Sequence, residues 1–112
     1  MSFELKATPS FRKSLKALAK RYRSIKADFQ AFAESLAENP FQGDELTPGI
    51  RKIRMTIASK GRGKSGGARV ITYTVIIAEN EGEVYLMEIY DKSDFSTVDV
   101  EVLKALVADL GL

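Results

Sequence analysis

Two strand patterns joined by a basic, glycine-rich loop constrain this chain more than any other stretch. The first, Ile50-Arg51-Lys52-Ile53-Arg54-Met55-Thr56-Ile57-Ala58, alternates apolar and polar residues, as a strand with one buried face does. The second, Val70-Ile71-Thr72-Tyr73-Thr74-Val75-Ile76-Ile77, is rich in β-branched side chains and fits a strand covered on both sides. Between them runs Lys60-Gly61-Arg62-Gly63-Lys64-Ser65-Gly66-Gly67-Ala68-Arg69, whose glycines let the backbone turn through positive φ. The alternation also sets the register of the first strand. Ile53, Met55 and Ile57 share one face, and Lys52, Arg54 and Thr56 share the other. A slip of one residue would bury both cations, so Lys52 and Arg54 point the same way, about 7 Å apart. A hairpin that is basic at its tip and along one strand suits a polyanion. A solvated loop kept soluble by its charge fits these residues equally well.

Composition then removes whole classes of chemistry. The 112 residues contain neither cysteine nor histidine, which excludes disulfides, thiolate or imidazole metal sites, a Cys nucleophile and a His-based triad. Acid–base work falls to Lys, Arg, Tyr or carboxylates. The net charge of +2 is unremarkable, but its distribution is uneven. Through Lys26 the chain carries Lys6, Arg12, Lys13, Lys16, Lys20, Arg21 and Arg23 against Glu4, and after Lys92 only Lys104 stands against Asp94, Asp99, Glu101 and Asp109. This asymmetry points to a polyanion face, and a merely solvated basic helix would look the same. No apolar run approaches membrane-spanning length. The start, Met1-Ser2-Phe3-Glu4, has no secretory pattern, so a cytoplasmic protein is expected.

In chain order, Phe3–Ala7 reads as a short first strand. Thr8-Pro9 opens a helix, with Thr as N-cap and Pro at the first helical position, and Phe11, Leu15, Leu18, Ala19 and Tyr22 form its apolar stripe. After a hinge near Arg23-Ser24 a second helix carries Ile25, Phe29, Phe32 and Leu36 and stops before Asn39-Pro40. Phe41–Gly49 reads as a loop. Glu79-Asn80-Glu81-Gly82 turns the chain into a further strand, Val84–Tyr90, and a last helix follows, capped by Ser96 or Thr97 with Asp99 in its first turn. The expected fold is α+β, a single domain over residues 1–112 in the order β-α-α-β-β-β-α. A helical hairpin would pack on a mainly antiparallel, four-stranded sheet. Which face of the strand after the basic loop meets the helices is open at this point, because both faces are apolar.

The motif search is mostly negative. Gly63-Lys64-Ser65 has the ending of a phosphate-binding P-loop, but the first motif glycine would fall at Ala58 and a strand follows in place of a helix. Glu79 and Glu81 lie in a turn and form no glycosidase-like pair. No metal ligand cluster and no cofactor site is expected.

The order of elements, the Gly49-Ile50-Arg51-Lys52-Ile53-Arg54 strand, the Gly61–Val70 loop and the later Tyr90-Asp91-Lys92-Ser93 together resemble the RelE/ParE toxin superfamily. The Gly-Lys-Ser-Gly-Gly-x-Arg-Val run is similar to its HigB-like branch. The resemblance spans the chain, and its specific part lies in residues 49–73 and 90–93. It implies the toxin of a type II toxin–antitoxin pair, with a small cognate antitoxin as protein partner. It also implies a ribosome-dependent mRNA endonuclease (an mRNA interferase) that inhibits translation without metal or cofactor, its other partners being the ribosome and mRNA. The active surface carried over from the family comprises Lys52, Arg54 and Arg69, with Lys92 and Tyr90 as further catalytic candidates. Lys60, Arg62, Lys64 and Tyr73 are candidates to bind RNA.

These residue types suit RNA cleavage by its own 2′-OH. Arginine presents a planar fork of donors to phosphate oxygens, and Lys52 beside Arg54 is the candidate to activate the hydroxyl. The chain departs from RelE, which carries an Arg and a Tyr near its C-terminus, because no Tyr or Arg follows Lys92 here. Tyr90 and Tyr73 are the residues that could stand in. A ParE-like inhibitor of DNA gyrase and a non-catalytic basic RNA- or protein-binding module of the same fold are the alternatives.

Overall fold

The computed structural model describes residues 2–61, 63, 66–94 and 99–112. Its elements run β1 (Ser2–Ala7), α1 (Pro9–Arg21), α2 (Ile25–Glu38), β2 (Asp44–Thr47), β3 (Ile50–Met55), a 3-10 turn at Ala58–Lys60, β4 (Ala68–Ala78), β5 (Glu81–Asp91) and α3 (Val100–Ala108). The fold is α+β, with three helices packed on a mostly antiparallel sheet as expected. The sheet has five strands in the order β1-β5-β4-β3-β2, so the expected count of four is corrected. The additional strand is β2, which lies inside the segment read as a loop. Four residues flanked by glycine and proline carry no periodic signal of their own; Asp44 and Glu45 become strand by pairing with Lys52 and Arg51 of β3. The one parallel pairing joins β1 to β5.

Thr8 caps α1 as the sequence dictates: its hydroxyl accepts from the Phe11 N–H at 3.2 Å, with Pro9 next in line. The same hydroxyl donates to the Leu86 carbonyl at 3.0 Å, fixing the entry of α1 against β5. Phe11 and Leu18 of α1 and Ile25, Phe32 and Leu36 of α2 are buried against Ile53, Met55, Val70, Leu86 and Ile89 in one cluster, with Leu15 and Phe29 packed beside them. Ala19, expected in the stripe, is exposed.

A second, smaller cluster occupies the opposite face of the sheet. Ile50, Ile71, Met87 and Leu103 form it, with Tyr73, Tyr85, Tyr90, Leu106, Val107 and Leu110 alongside. That settles the face left open by the sequence: Ala68 and Val70 turn toward the helical hairpin, while Ile71 turns toward α3. Asp99 itself is the N-cap of α3, accepting from the Glu101 N–H. Ser96, Thr97 and Val98 lie outside the described residues. Val102 of the same helix is 55% exposed and stands apart from that cluster.

Candidate functional site

Antiparallel pairing places partners directly opposite one another on one face of a sheet. In the β3–β4 register Arg54 stands opposite Arg69, and in the β4–β5 register Arg69 stands opposite Tyr90. Arg54, Arg69 and Tyr90 therefore form a row across three strands. Lys52 lies two residues along β3, opposite Ile71. The row sits on the face that carries the smaller cluster, away from α1 and α2, and beyond the apolar patch that α3 helps to cover. Alternation along β3 dictates the first half of this arrangement. Only the strand register brings in Arg69 and Tyr90.

The members differ in exposure. Arg54 is exposed, Lys52 and Tyr90 are half-buried, and Arg69 is buried at 7%. An Arg69 Nη1 hydrogen donates to the Ala68 carbonyl at 3.1 Å. Burial, and then the charge of Arg54, push the Arg69 guanidinium below its ordinary pKa, with Tyr90 acting the other way. Such a lowering leaves an arginine cationic at neutral pH. Burial raises the Tyr90 phenol, opposed by Arg69, so Tyr90 is a neutral O–H donor at neutral pH. Like charges set directly opposite each other in a sheet cost stability. The row thus sets two cations opposite one another on the sheet, one of them buried. Two clefts open beside it, each lined in part by Arg54. One of about 250 Å³ is shared with Lys52, Gln42 and Asp44. The other, about 340 Å³, runs between Thr56 and the α2 residues Asp28, Ala31 and Ser35.

The remaining candidates are distributed differently. Lys92 is exposed, and its backbone N–H donates to the Gly67 carbonyl at 3.0 Å, tying the turn after β5 to the end of the glycine loop. Tyr73 is half-buried opposite Ile50, four residues from Arg69 and so about 13 Å along β4, among the apolar neighbours of the second cluster. Arg62 and Lys64 lie outside the described residues. Lys60 is held in an ion pair: its Nζ lies 2.6 Å from Asp91 Oδ1, and its side chain is 11% exposed.

Asp91 is the residue that sequence reasoning missed. Its carboxylate is fully buried and gathers Lys60, the Arg21 Nη2 at 3.1 Å, the Tyr22 hydroxyl at 2.5 Å and the Ser93 backbone N–H at 2.9 Å. Burial alone would raise its pKa, but the hydrogen bonds from Lys60, Tyr22 and Ser93 outweigh it and hold the group well below the usual carboxylate range. Asp91 joins the end of α1, the start of the glycine loop and the turn that follows Tyr90. The available signal was a carboxylate two residues beyond the buried Ile89, on the inward face of β5. Among the described residues no three carboxylates gather as a metal site, and no helix is long and apolar enough to cross a membrane.

A family model described as "ParE toxin of type II toxin-antitoxin system, parDE" matches residues 5–94. The matched span runs from within β1 to the turn after Asp91, and so takes in the helical hairpin, the sheet apart from the first residues of β1, and the Arg54–Arg69–Tyr90 row. It supports the superfamily that the loop and strand motifs resemble, without distinguishing the HigB-like branch. By family match and fold, the chain belongs to the ParE toxin family of type II toxin–antitoxin systems, in which a toxin is paired with a cognate antitoxin.

Proposed function

We propose that this toxin, of HigB-like type, acts as an endoribonuclease that cuts mRNA on the translating ribosome. The observation that carries the reading is the opposition of Arg54 and Arg69 with Tyr90 at the end of the row. In this reaction the 2′-OH of one nucleotide attacks the adjacent phosphate, the P–O5′ bond breaks, and a 2′,3′-cyclic phosphate and a 5′-hydroxyl result. Arg69, buried and therefore poorly hydrated, donates to the phosphoryl oxygens as negative charge builds there. Arg54 holds the same phosphate from the solvent side. The neutral Tyr90 phenol donates toward the departing oxygen. Lys52 engages the 2′-OH side, and Lys92, Arg62 and Lys64 contact the RNA backbone. Lys60 supports the site indirectly, by anchoring the glycine loop through Asp91.

The family match also favours a second reading, inhibition of DNA gyrase by binding, in which Arg54 and Arg69 would serve as contact residues. Parallel assays with the purified protein separate the two. The nuclease reading expects translation of a reporter mRNA in a cell extract to stop with discrete cuts in the message, while gyrase supercoiling of relaxed plasmid proceeds. Arrest of supercoiling with the message intact would overturn it.

A further inference from the structure

The basic character of the chain's first third forms a ridge that the site row does not use. Arg12, Lys13, Lys16 and Lys20 are all exposed on α1, and at 100° per residue they fall within an arc of about 100°. The opposite side of the helix carries the buried Phe11 and Leu18. Because α1 packs on the face of the sheet away from Arg54 and Arg69, the ridge and the row point to different sides of the protein. Arg23, also exposed, extends the ridge past the helix end.

Local rules argue against this arrangement as mere solvation. Cations four residues apart on a helix repel, and Arg12-Lys16-Lys20 repeats that spacing. Arg12 and Lys13 also stand near the N-terminal end, where the helix dipole disfavours positive charge, and no acidic residue occupies the first turn. Among the described residues none of these cations pairs with a carboxylate; the two ion pairs of α1 both belong to Arg21, which reaches Asp91 and Asp94. Broken local rules without internal compensation mark functional surfaces.

We propose that this ridge docks the phosphate backbone of double-stranded RNA, at a site separate from the Arg54–Arg69–Tyr90 row. Arg12 to Lys20 spans about 12 Å, enough to cover several phosphates of a duplex. An amphipathic acidic peptide would need an apolar stripe beside the cations. Among the described residues the exposed large apolar side chains are Phe41, Ile76, Ile77, Val102 and Leu112, none of them in α1. The choice of RNA over DNA rests on the proposed nuclease function. The ridge itself does not, and its test measures binding without cleavage.

The experiment is fluorescence anisotropy of a labelled RNA duplex, titrated with protein across a series of KCl concentrations, beside a DNA duplex of the same sequence. The variant R12Q/K16Q/K20Q keeps good helix formers, and circular dichroism checks its folding. Its affinity should fall at least about tenfold at 0.1 M salt, and the slope of log K against log salt should shrink by about 3. If the triple variant melts, Lys16→Gln alone should lower the slope by about 1. The double variant R54Q/R69Q should still bind the duplex. Unchanged affinity and slope in the ridge variants would overturn the proposal. So would displacement of the duplex by polyglutamate at equal charge, or DNA bound more than about tenfold tighter than RNA.

Discussion

Arg69 shows how a single side chain acquires a role from its neighbours. It is the more buried of two opposed arginines, and its charge is maintained although both burial and Arg54 disfavour it. Tyr90 beside it stays protonated, so its phenol can give a hydrogen bond where a phenolate could not. Tyr90→Phe should lower cleavage by about 10²-fold with the melting temperature unchanged, measured by primer extension beside thermal melts. Asp91 is the counterpart on the inner side of the same strand. Asp91→Ala would leave Lys60 close to buried without a carboxylate, its Nζ held, among the described residues, only by the Ser93 hydroxyl, and should cost about 3–5 kcal/mol in denaturant titration. The pH dependence follows from the direction of its shift. The folded pKa lies below the unfolded value of about 3.9, so the stabilisation is complete above about pH 5 and declines as pH falls through and below that value. Parent and Asp91→Asn stabilities should therefore converge on acidification, and a gap that widens toward low pH would contradict this. Thr72 offers the opposite case. It is fully buried, and its hydroxyl has no hydrogen-bond partner among the described residues. Thr72→Val should raise stability by about 1 kcal/mol.

At the scale of elements, the hairpin β3–β4 aligns the row and the helical hairpin supports it from behind. Gly67 immediately precedes the return strand β4, and a Cβ there would run into the Met55 carbonyl oxygen and crowd the Ile57 N–H. Gly67→Ala should therefore loosen the top of the β3–β4 pairing and reduce both stability and cleavage, as hydrogen exchange at Met55 and Ala68 would show. Phe32, 8% exposed between α2 and the sheet, should cost about 3–5 kcal/mol when truncated to Ala. Most of these elements were legible from residues alone. Thr8-Pro9 announced α1, Asn39-Pro40 closed α2, and the alternation of Ile53, Arg54 and Met55 fixed which way Lys52 and Arg54 point. Strand β2 was not legible, because its structure comes from its partner in β3 rather than from its own pattern. The placement of Arg69 and Tyr90 was legible only as a family resemblance. A strand apolar on both faces does not tell which side its one arginine takes, and register across strands is a tertiary property. Asp91 stood in a quoted motif, yet its role depends on Arg21, Tyr22 and Lys60, which are distant in sequence and meet only in the fold.

Taken whole, the molecule has two unlike basic surfaces on opposite sides of its sheet. One is built into strands, partly desolvated and chemically differentiated by Arg69 and Tyr90. The other is a row of exposed cations on α1, proposed above to meet phosphates without regard to sequence. A toxin of this family has a cognate antitoxin, and an acidic segment covering Lys52, Arg54 and Arg69 would block the site proposed above. The central claim is that the opposed arginines perform chemistry on RNA, and one comparison tests it most directly. Programmed ribosomes carrying a defined mRNA are incubated with the parent protein or with Arg69→Ala, and the message is mapped by primer extension, with thermal melts confirming that both proteins are folded. The account predicts ribosome-dependent cuts by the parent and a rate about 10²–10³-fold lower for Arg69→Ala. A folded Arg69→Ala protein that cuts as fast as the parent, or a parent that leaves the message intact, would contradict it.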